Sequence, residues 1–358
     1  VDSSHQWRFY LTAQEAWEAM YRDCAAAEES IELEEYILEN DSIGRRFLEL
    51  FIDKAAAGVR VFIICDRYGS YAFLKSPLVE KLRQAGGQLY FYHEIGFFDL
   101  FRPWRLFPRT HVKTLLVDSR IAYTGSVCIA ERMKNWRDTQ IKIVGPVVAE
   151  IKDSFSIPEK IFTLARRKCA PLPDRNAEFA YVQSNPVFCR CMIYVELVRA
   201  IKEAQRSLYI TTPFFAPNIH FRSLLRRKSR KGVDVVLLIP LRSDVLVADW
   251  MMLSYAKSLL KAGIRIYRYQ NVPVHSKTIV IDDGWATLGS TNIDVLSFFN
   301  NREANLIIRN AEAVADLKRH FLDDLSRSRE LTLEELALEP MYKKMIGRLA
   351  RYAKHFLK

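Results

Sequence analysis

Between positions 30 and 66 the chain reads SIELEEYILENDSIGRRFLELFIDKAAAGVRVFIICD, and between 207 and 240 it reads SLYITTPFFAPNIHFRSLLRRKSRKGVDVVLLIP. Each segment opens with a short apolar run of strand length, passes a turn, and then spaces its apolar positions as an amphipathic helix does. Each closes with Gly-Val and a continuous apolar run of the buried-strand type. A further helix follows in both, ending at Ala85-Gly86 and Ala262-Gly263. Glycine there suits a helix C-cap leading into the next strands, Gln88–Tyr92 and Ile264–Tyr269. The pattern is written twice, which decides the architecture.

Strands alternating with helices of ten or more residues predict βαβ units. The expected fold is α/β: two pseudo-twofold-related halves, each a mixed, mostly parallel sheet flanked by helices. The first half is assigned residues 1–170 and the second 177–330, with the tail 331–358 apart from both. A linker is expected in Lys168–Asn176, where Ala-Pro-Leu-Pro-Asp breaks helix and strand alike.

Composition narrows the partners more than the fold. Hydrophobic residues make up 49% and charged residues 27%, so the chain is a folded one, and its formal charge of +11 favours polyanions. Nucleic acid and an anionic membrane surface both meet that description. The cysteines, at 24, 65, 128, 169, 189 and 191, lack zinc-ligand spacing and read as free thiols in a reducing compartment. No metal or other cofactor is expected. No apolar run approaches the roughly 18 residues that would span a bilayer, and Val1 to Tyr10 does not resemble a signal peptide. The expectation is a cytoplasmic protein lying on the inner membrane rather than crossing it.

The chemistry follows from a second duplication. His111-Val-Lys113 is followed by Asp118 and by Gly125-Ser126; His275-Ser-Lys277 is followed, at identical spacing, by Asp282 and by Gly289-Ser290, then Asn292. On a strand, residues i and i+2 project from one face. Each half therefore offers one imidazole and one ammonium, and the twofold brings the pairs together. His111, Lys113, His275 and Lys277, with Ser126, Ser290 and Asn292 as phosphate-binding groups, form a cationic cage for one phosphodiester. One histidine can attack phosphorus while the other moves the proton of the leaving and incoming oxygens. Asp138 in Trp-Arg-Asp and Glu303 in Asn-Arg-Glu are the candidate carboxylates to orient the rings, with the pairing within or across halves open. Asp118 and Asp282 fall out of phase with the His-Lys face and are assigned structural roles at the strand ends.

The halves also differ. Residues 93–109, HEIGFFDLFRPWRLFPR, insert before the first histidine and mix Phe97, Phe98, Phe101, Trp104 and Phe107 with arginines. They read either as an apolar loop on the core or as a membrane-interfacial loop. The tail Met341–Lys358 has apolar positions at helical spacing beside Lys343, Lys344, Arg348 and Arg351. That is a basic amphipathic helix, suited to an anionic lipid surface or to packing on the domain.

The twin H-x-K-(x)4-D-(x)6-G-S pattern resembles the phospholipase D superfamily. Within it, Trp136-Arg137-Asp138-Thr139, Thr211-Thr212-Pro213-Phe214-Phe215-Ala216-Pro217 and Asn292-Ile293-Asp294 are most similar to bacterial cardiolipin synthases. The resemblance implies a metal-independent phosphatidyl transfer to the hydroxyl of another lipid through a phosphohistidine. It also implies that His111 is the nucleophile and His275 the acid/base. Cys128 departs from the asparagine common in the family at that place, which the second half keeps as Asn292. The rival readings are hydrolysis of phospholipids to phosphatidic acid, a nuclease of the same superfamily, and an inactive lipid-binding module. The aromatic insertion and the tail favour lipid over nucleic acid.

Overall fold

The computed structural model describes residues 4–92, 109–155, 173–185 and 191–353. The insertion aromatics Phe97, Phe98, Phe101, Trp104 and Phe107, most of the expected linker, and Cys169 and Cys189 lie outside the described residues.

The first half runs β1 (Gln6–Thr12), α1 (Ala13–Ala25), β2 (Ser30–Glu35), α2 (Ser42–Ala56), β3 (Arg60–Asp66), α3 (Tyr71–Leu74) and α4 (Pro77–Gln84). It continues through β4 (Gln88–Tyr92), β5 (Thr114–Val117), β6 (Ile121–Gly125), β7 (Arg137–Val144) and α5 (Val147–Phe155). The second runs β8 (Phe179–Ser184), α6 (Met192–Glu203), β9 (Ser207–Thr211), β10 (Phe215–Ala216), α7 (Ile219–Arg230), β11 (Asp234–Pro240) and α8 (Leu246–Leu260). Then come β12 (Arg265–Tyr269), β13 (Thr278–Ile281), β14 (Trp285–Gly289), β15 (Ile293–Asp294), α9 (Val295–Phe299), β16 (Glu303–Ile308) and α10 (Ala311–Ser326). The chain finishes with β17 (Ser328–Glu330), α11 (Leu333–Leu338) and α12 (Met341–Ala353), so the segment after 331 holds two helices rather than one.

The repeat is visible down to its caps. Asp41 starts α2 by accepting from Gly44 N at 2.9 Å, and Asn218 starts α7 by accepting from Phe221 N at 2.8 Å. Gly58 and Gly232, the glycines of the two Gly-Val pairs, both have φ of +89°, the left-handed turn that ends a helix.

Each half builds one large sheet, in the orders β1-β7-β6-β5-β2-β3-β4 and β17-β12-β11-β9-β13-β14-β16-β8, and the second half adds a two-stranded parallel pair, β10-β15. The large sheets are mixed, but the expected parallel majority is not found. Only β2/β3, β3/β4, β9/β11 and β11/β12 run parallel within them, and every other pair is antiparallel. The reason is connection length. The links from β5 to β6 and from β13 to β14 are a few residues each, enough for a hairpin and too short for a crossover.

The two sheets face each other. Phe62, Leu116 and Ile141 from one pack with Val280, Leu288 and Leu306 from the other, and α5 and α10 complete this shared core. The outer faces are covered by α1, α2 and α4 in the first half and by α6, α7 and α8 in the second. The cleft of interest lies where the two sheets meet, beyond the C-terminal ends of their parallel strands, the usual place for a ligand in α/β folds.

Candidate active site

His111 and Lys113 sit in the extended segment leading into β5, and His275 and Lys277 in the one leading into β13, not within the ladders themselves. What holds these segments straight is the opposite half. His111 N donates to Arg302 O at 2.8 Å and Arg302 N donates to Arg109 O at 2.8 Å. Likewise His275 N donates to Arg137 O at 2.8 Å, and Arg137 N to Pro273 O at 3.0 Å. The i, i+2 relation survives. Lys113 Nζ donates back to His111 O at 2.8 Å, and Lys277 Nζ to His275 O at 2.6 Å.

The side chains cross in the same way. His111 Nδ1 meets Glu303 Oε2 of the second half at 3.0 Å, and His275 Nδ1 meets Asp138 Oδ2 of the first half at 2.9 Å. Both carboxylates are fully buried, and both histidine residues are less than a tenth exposed. A carboxylate on Nδ1 fixes the tautomer and leaves Nε2 as the working nitrogen. Tyr36 stands edge-on to His111 with centroids 4.8 Å apart, and Trp136 stands edge-on to His275 at 5.9 Å.

The carboxylates are themselves held. Ser126 Oγ donates to Asp138 Oδ1, Thr139 N donates to the same oxygen at 2.8 Å, and Ser290 Oγ donates to Glu303 Oε2. The two serines assigned above to the phosphate thus point at the carboxylates instead, one step back from the cleft. Their glycines explain the motif: a Cβ on Gly125 would lie 2.4 Å from Thr139 O, and one on Gly289 would lie 2.3 Å from Ala304 O. Only glycine lets the serine strand approach the carboxylate strand so closely. Asn292 is buried with its Oδ1 lacking a hydrogen-bond partner among the described residues. Cys128, its counterpart, has a buried thiol pushed up to about 12 by burial, so it is no nucleophile.

Asp118 and Asp282 lie at the far ends of β5 and β13, beyond the four strand residues that follow each lysine, or roughly 17 Å along an extended chain. Both adopt positive φ, 49° and 52°. Asp118 accepts from the backbone N–H groups of Glu28, Glu29 and Ser30, and Asp282 from those of Gln205, Arg206 and Ser207. They clamp the loops that enter β2 and β9.

Several residues were not singled out by sequence. Glu34 binds Arg302 through two bonds, at 2.8 and 2.9 Å, and also accepts from Thr110 Oγ1. Asp324 binds Arg137 through two contacts, each 2.7 Å. These buried arginines carry the backbone bridges and precede the two carboxylates. The doubled Arg-acid dipeptide was the available signal for them. Glu35, fully buried, has its carboxyl pushed up to about 8 by burial against the pull of Lys113 and the Tyr36 N–H. The matching position in the second half is Thr212.

Electrostatically the two pairs are unequal. Burial, then the charges of Lys113, Lys277 and His275, hold His111 well below the ordinary imidazole range. Burial and Lys277 also lower His275, but Asp138 pulls it back up. Burial raises Asp138, yet His275, Lys277 and Ser126 outweigh it and hold the carboxyl below its usual range. Glu303 is pushed up to about 7 by burial, against Lys113 and the hydroxyls of Ser290 and Ser297. Lys277 is brought down to about 8, chiefly by burial and then by Lys113.

A neutral imidazole, a second imidazole on a firmly anionic carboxylate, and two lysines gathered across a pseudo-twofold define a phospholipase D type of catalytic cleft. The family model for the PLD-like domain of cardiolipin synthase matches residues 21–155 and 197–325, and the chain belongs to that family. It is 31% identical over 355 residues to the major cardiolipin synthase ClsA of Bacillus subtilis (strain 168), covering 94% of this chain and 73% of that one. It is 30% identical over 345 residues to a cardiolipin synthase of Clostridium perfringens, covering 91% and 71%. Among solved structures, the phosphatidylserine synthase of Haemophilus influenzae shares the fold with a TM-score of 0.72 at 13% identity, over 98% of this chain and 93% of that one. The class of enzyme is therefore a phospholipase D-type phosphatidyltransferase.

Proposed function

We propose that the protein transfers a phosphatidyl group from one phospholipid to the hydroxyl of another, phosphatidylglycerol or a similar lipid alcohol, as a cardiolipin synthase does. The observation that carries this reading is the crossed pairing of His111 with Glu303 and His275 with Asp138 in one cationic cleft. His111 Nε2, neutral at working pH, attacks phosphorus and forms the P–N bond as the bond from phosphorus to the leaving alcohol oxygen breaks. Protonated His275 gives its Nε2 proton to that oxygen. The acceptor hydroxyl then returns a proton to His275 and attacks phosphorus, and the P–N bond breaks. Lys113, Lys277 and the Asn292 amide face the non-bridging oxygens, where charge builds in both steps. Substrate would be reached from the membrane surface. No helix among the described residues is long and apolar enough to cross a bilayer, and Arg348 on α12 is exposed for contact with anionic lipid. Lys343 is bound to Glu339 at 3.2 Å and Lys344 to Ala337 O at 3.2 Å, which leaves Arg348 as the better placed cation of that helix. The side chain of Arg351 lies outside the described residues.

The test is incubation with phosphatidylglycerol vesicles and separation of the lipid products. Cardiolipin with free glycerol is expected; phosphatidic acid would mean hydrolysis, and no lipid turnover alongside cleavage of single-stranded DNA would overturn the lipid reading. His111→Ala and His275→Ala should each abolish turnover. Mass spectrometry of wild type denatured rapidly at alkaline pH during turnover should find the phosphatidyl adduct on His111, and an adduct elsewhere would refute its role.

A further inference from the structure

Among the described residues, most of the exposed large apolar side chains fall in three stretches, the loop after β3, the loop after β11 with the start of α8, and the tail, taken together as one band. Its first part rims the cleft. The loop after β3 exposes Tyr68 at 67% and Tyr71 at 58%, and it is tied to the catalytic segment through Asp66. One Asp66 oxygen accepts from Tyr68 N at 2.9 Å and the other from Thr110 N, next to His111, at 3.2 Å. In the second half the loop after β11 and the start of α8 expose Leu241, Val245, Leu246 and Val247. Leu241 N donates to Tyr269 O, at the end of β12 from which the chain passes to His275. Both loops therefore leave the same edge of the fold as the catalytic histidines, one on each side of the mouth.

The second part of the band leads away from the mouth along the tail. Leu241 and Leu338 line one hollow. Beyond it α12 packs on α8 at Gly347, where a Cβ would lie 2.0 Å from Trp250 O. With glycine making that contact, Met341, Met345 and Leu349 of α12 are turned to the outside and exposed. Cations are set among the apolar groups: Lys75 over the Tyr71 ring, and Arg242 and Arg348 exposed. A mixture of aromatic, aliphatic and basic side chains on a chain of charge +11 suits an anionic bilayer, aliphatic groups at acyl depth and cations at the phosphates.

We infer that the mouth of the catalytic cleft is itself the membrane-binding surface, and that the protein sits cleft-down on an anionic bilayer. Tyr68 and Tyr71 enter on one side of the reacting headgroup; Leu241, Val245, Leu246 and Val247 enter on the other. The headgroup then reaches the histidines without its acyl chains leaving the membrane. The inference rests on the lipid reading above for its substrate, but binding itself can be measured without turnover.

The test compares Leu246→Asp/Val247→Asp with wild type on phosphatidylglycerol vesicles and on a short-chain phosphatidylglycerol dissolved as monomers. Sedimentation with vesicles should weaken roughly tenfold or more. Turnover on vesicles should fall with it, while turnover of the soluble lipid stays within about twofold. Leu322→Asp and Val195→Asp, exposed apolar positions off the band, should change neither. Unchanged vesicle binding would overturn the inference. Should the double variant lose the soluble activity too, Tyr68→Asp/Tyr71→Asp on the opposite rim decides by its vesicle binding alone. A wild type that binds vesicles through the band but turns over neither lipid would sink the phosphatidyl-transfer reading and leave the surface standing.

Discussion

The two buried carboxylates occupy equivalent places, yet exchanging each for its amide should move stability in opposite directions. Glu303 is raised from 4.5 to about 7, so its ionisation opposes folding: the penalty is absent below pH 4.5 and complete above pH 7. That rise corresponds to roughly 3 kcal/mol in a fully buried site. Glu303→Gln should therefore match wild type near pH 4.5 and exceed it at pH 8 by up to that amount. For a chain of this length the gain is about 4 °C in melting temperature. Asp138 behaves oppositely, because its folded-state carboxyl is held below 3.8. Its ionisation supports the fold at every pH above that value, and the support fades as pH falls through the folded-state value. Asp138→Asn should be less stable than wild type at pH 8 and approach it only in acid. Calorimetry on both variants between pH 4.5 and 8 is the assay, with turnover measured in parallel. Both variants should lose activity, roughly 10²–10⁴-fold, since each histidine loses the anion that orients it. A destabilised Glu303→Gln at pH 8, or shifts of the same sign in both variants, would refute the reasoning.

Lys277→Met should lower kcat by roughly 10²–10³-fold in steady-state assays while vesicle binding is unchanged, because the lysine acts on charge that builds during transfer. Arg302→Met leaves Glu34 buried without its bidentate partner and should cost about 3–5 kcal/mol in urea unfolding. Gly289→Ala forces a Cβ against Ala304 O and should cost roughly 1–3 kcal/mol in the same experiment, with activity falling as Ser290 is pushed from Glu303.

What sequence made legible is local. The paired motifs, the strand-helix repeats, the glycine C-caps at Gly86 and Gly263 and the Gly-Val turns all depend on spacings within a few tens of residues. The pairing of His111 with Glu303 joins residues 192 apart, and nothing in either local pattern chooses between partners within or across the halves. The parallel majority implied by the strand-helix repeats fails at the short hairpins β5–β6 and β13–β14, whose links leave no room for a crossover. Ile31-Glu32-Leu33-Glu34 alternates as a half-solvated strand would, yet all of β2 is buried, because its Glu34 face meets the other half and clamps Arg302. Serine beside glycine reads as a phosphate donor until the close approach of β7 and β16 gives its hydroxyl to a carboxylate.

The crossing explains how a duplicated motif can divide the labour of one reaction. Each histidine is positioned by backbone and carboxylate from the half that does not contain it, so changes in one half set the chemistry of the other half's ring. The departures from symmetry are small: a glutamate against an aspartate, Glu34 against Asp324 behind the two arginines, Glu35 against Thr212, Cys128 against Asn292. Asp138 is bonded to Ser126, Thr139 and His275, and Glu303 to Ser290 and His111. Asp138, held below its usual range, is anionic beside His275 and pulls that ring's pKa upward, whereas His111 is kept neutral by burial and by the charges of Lys113, Lys277 and His275. In the proposed reaction this inequality gives attack to His111 and proton transfer to His275, since the histidines and lysines themselves are alike.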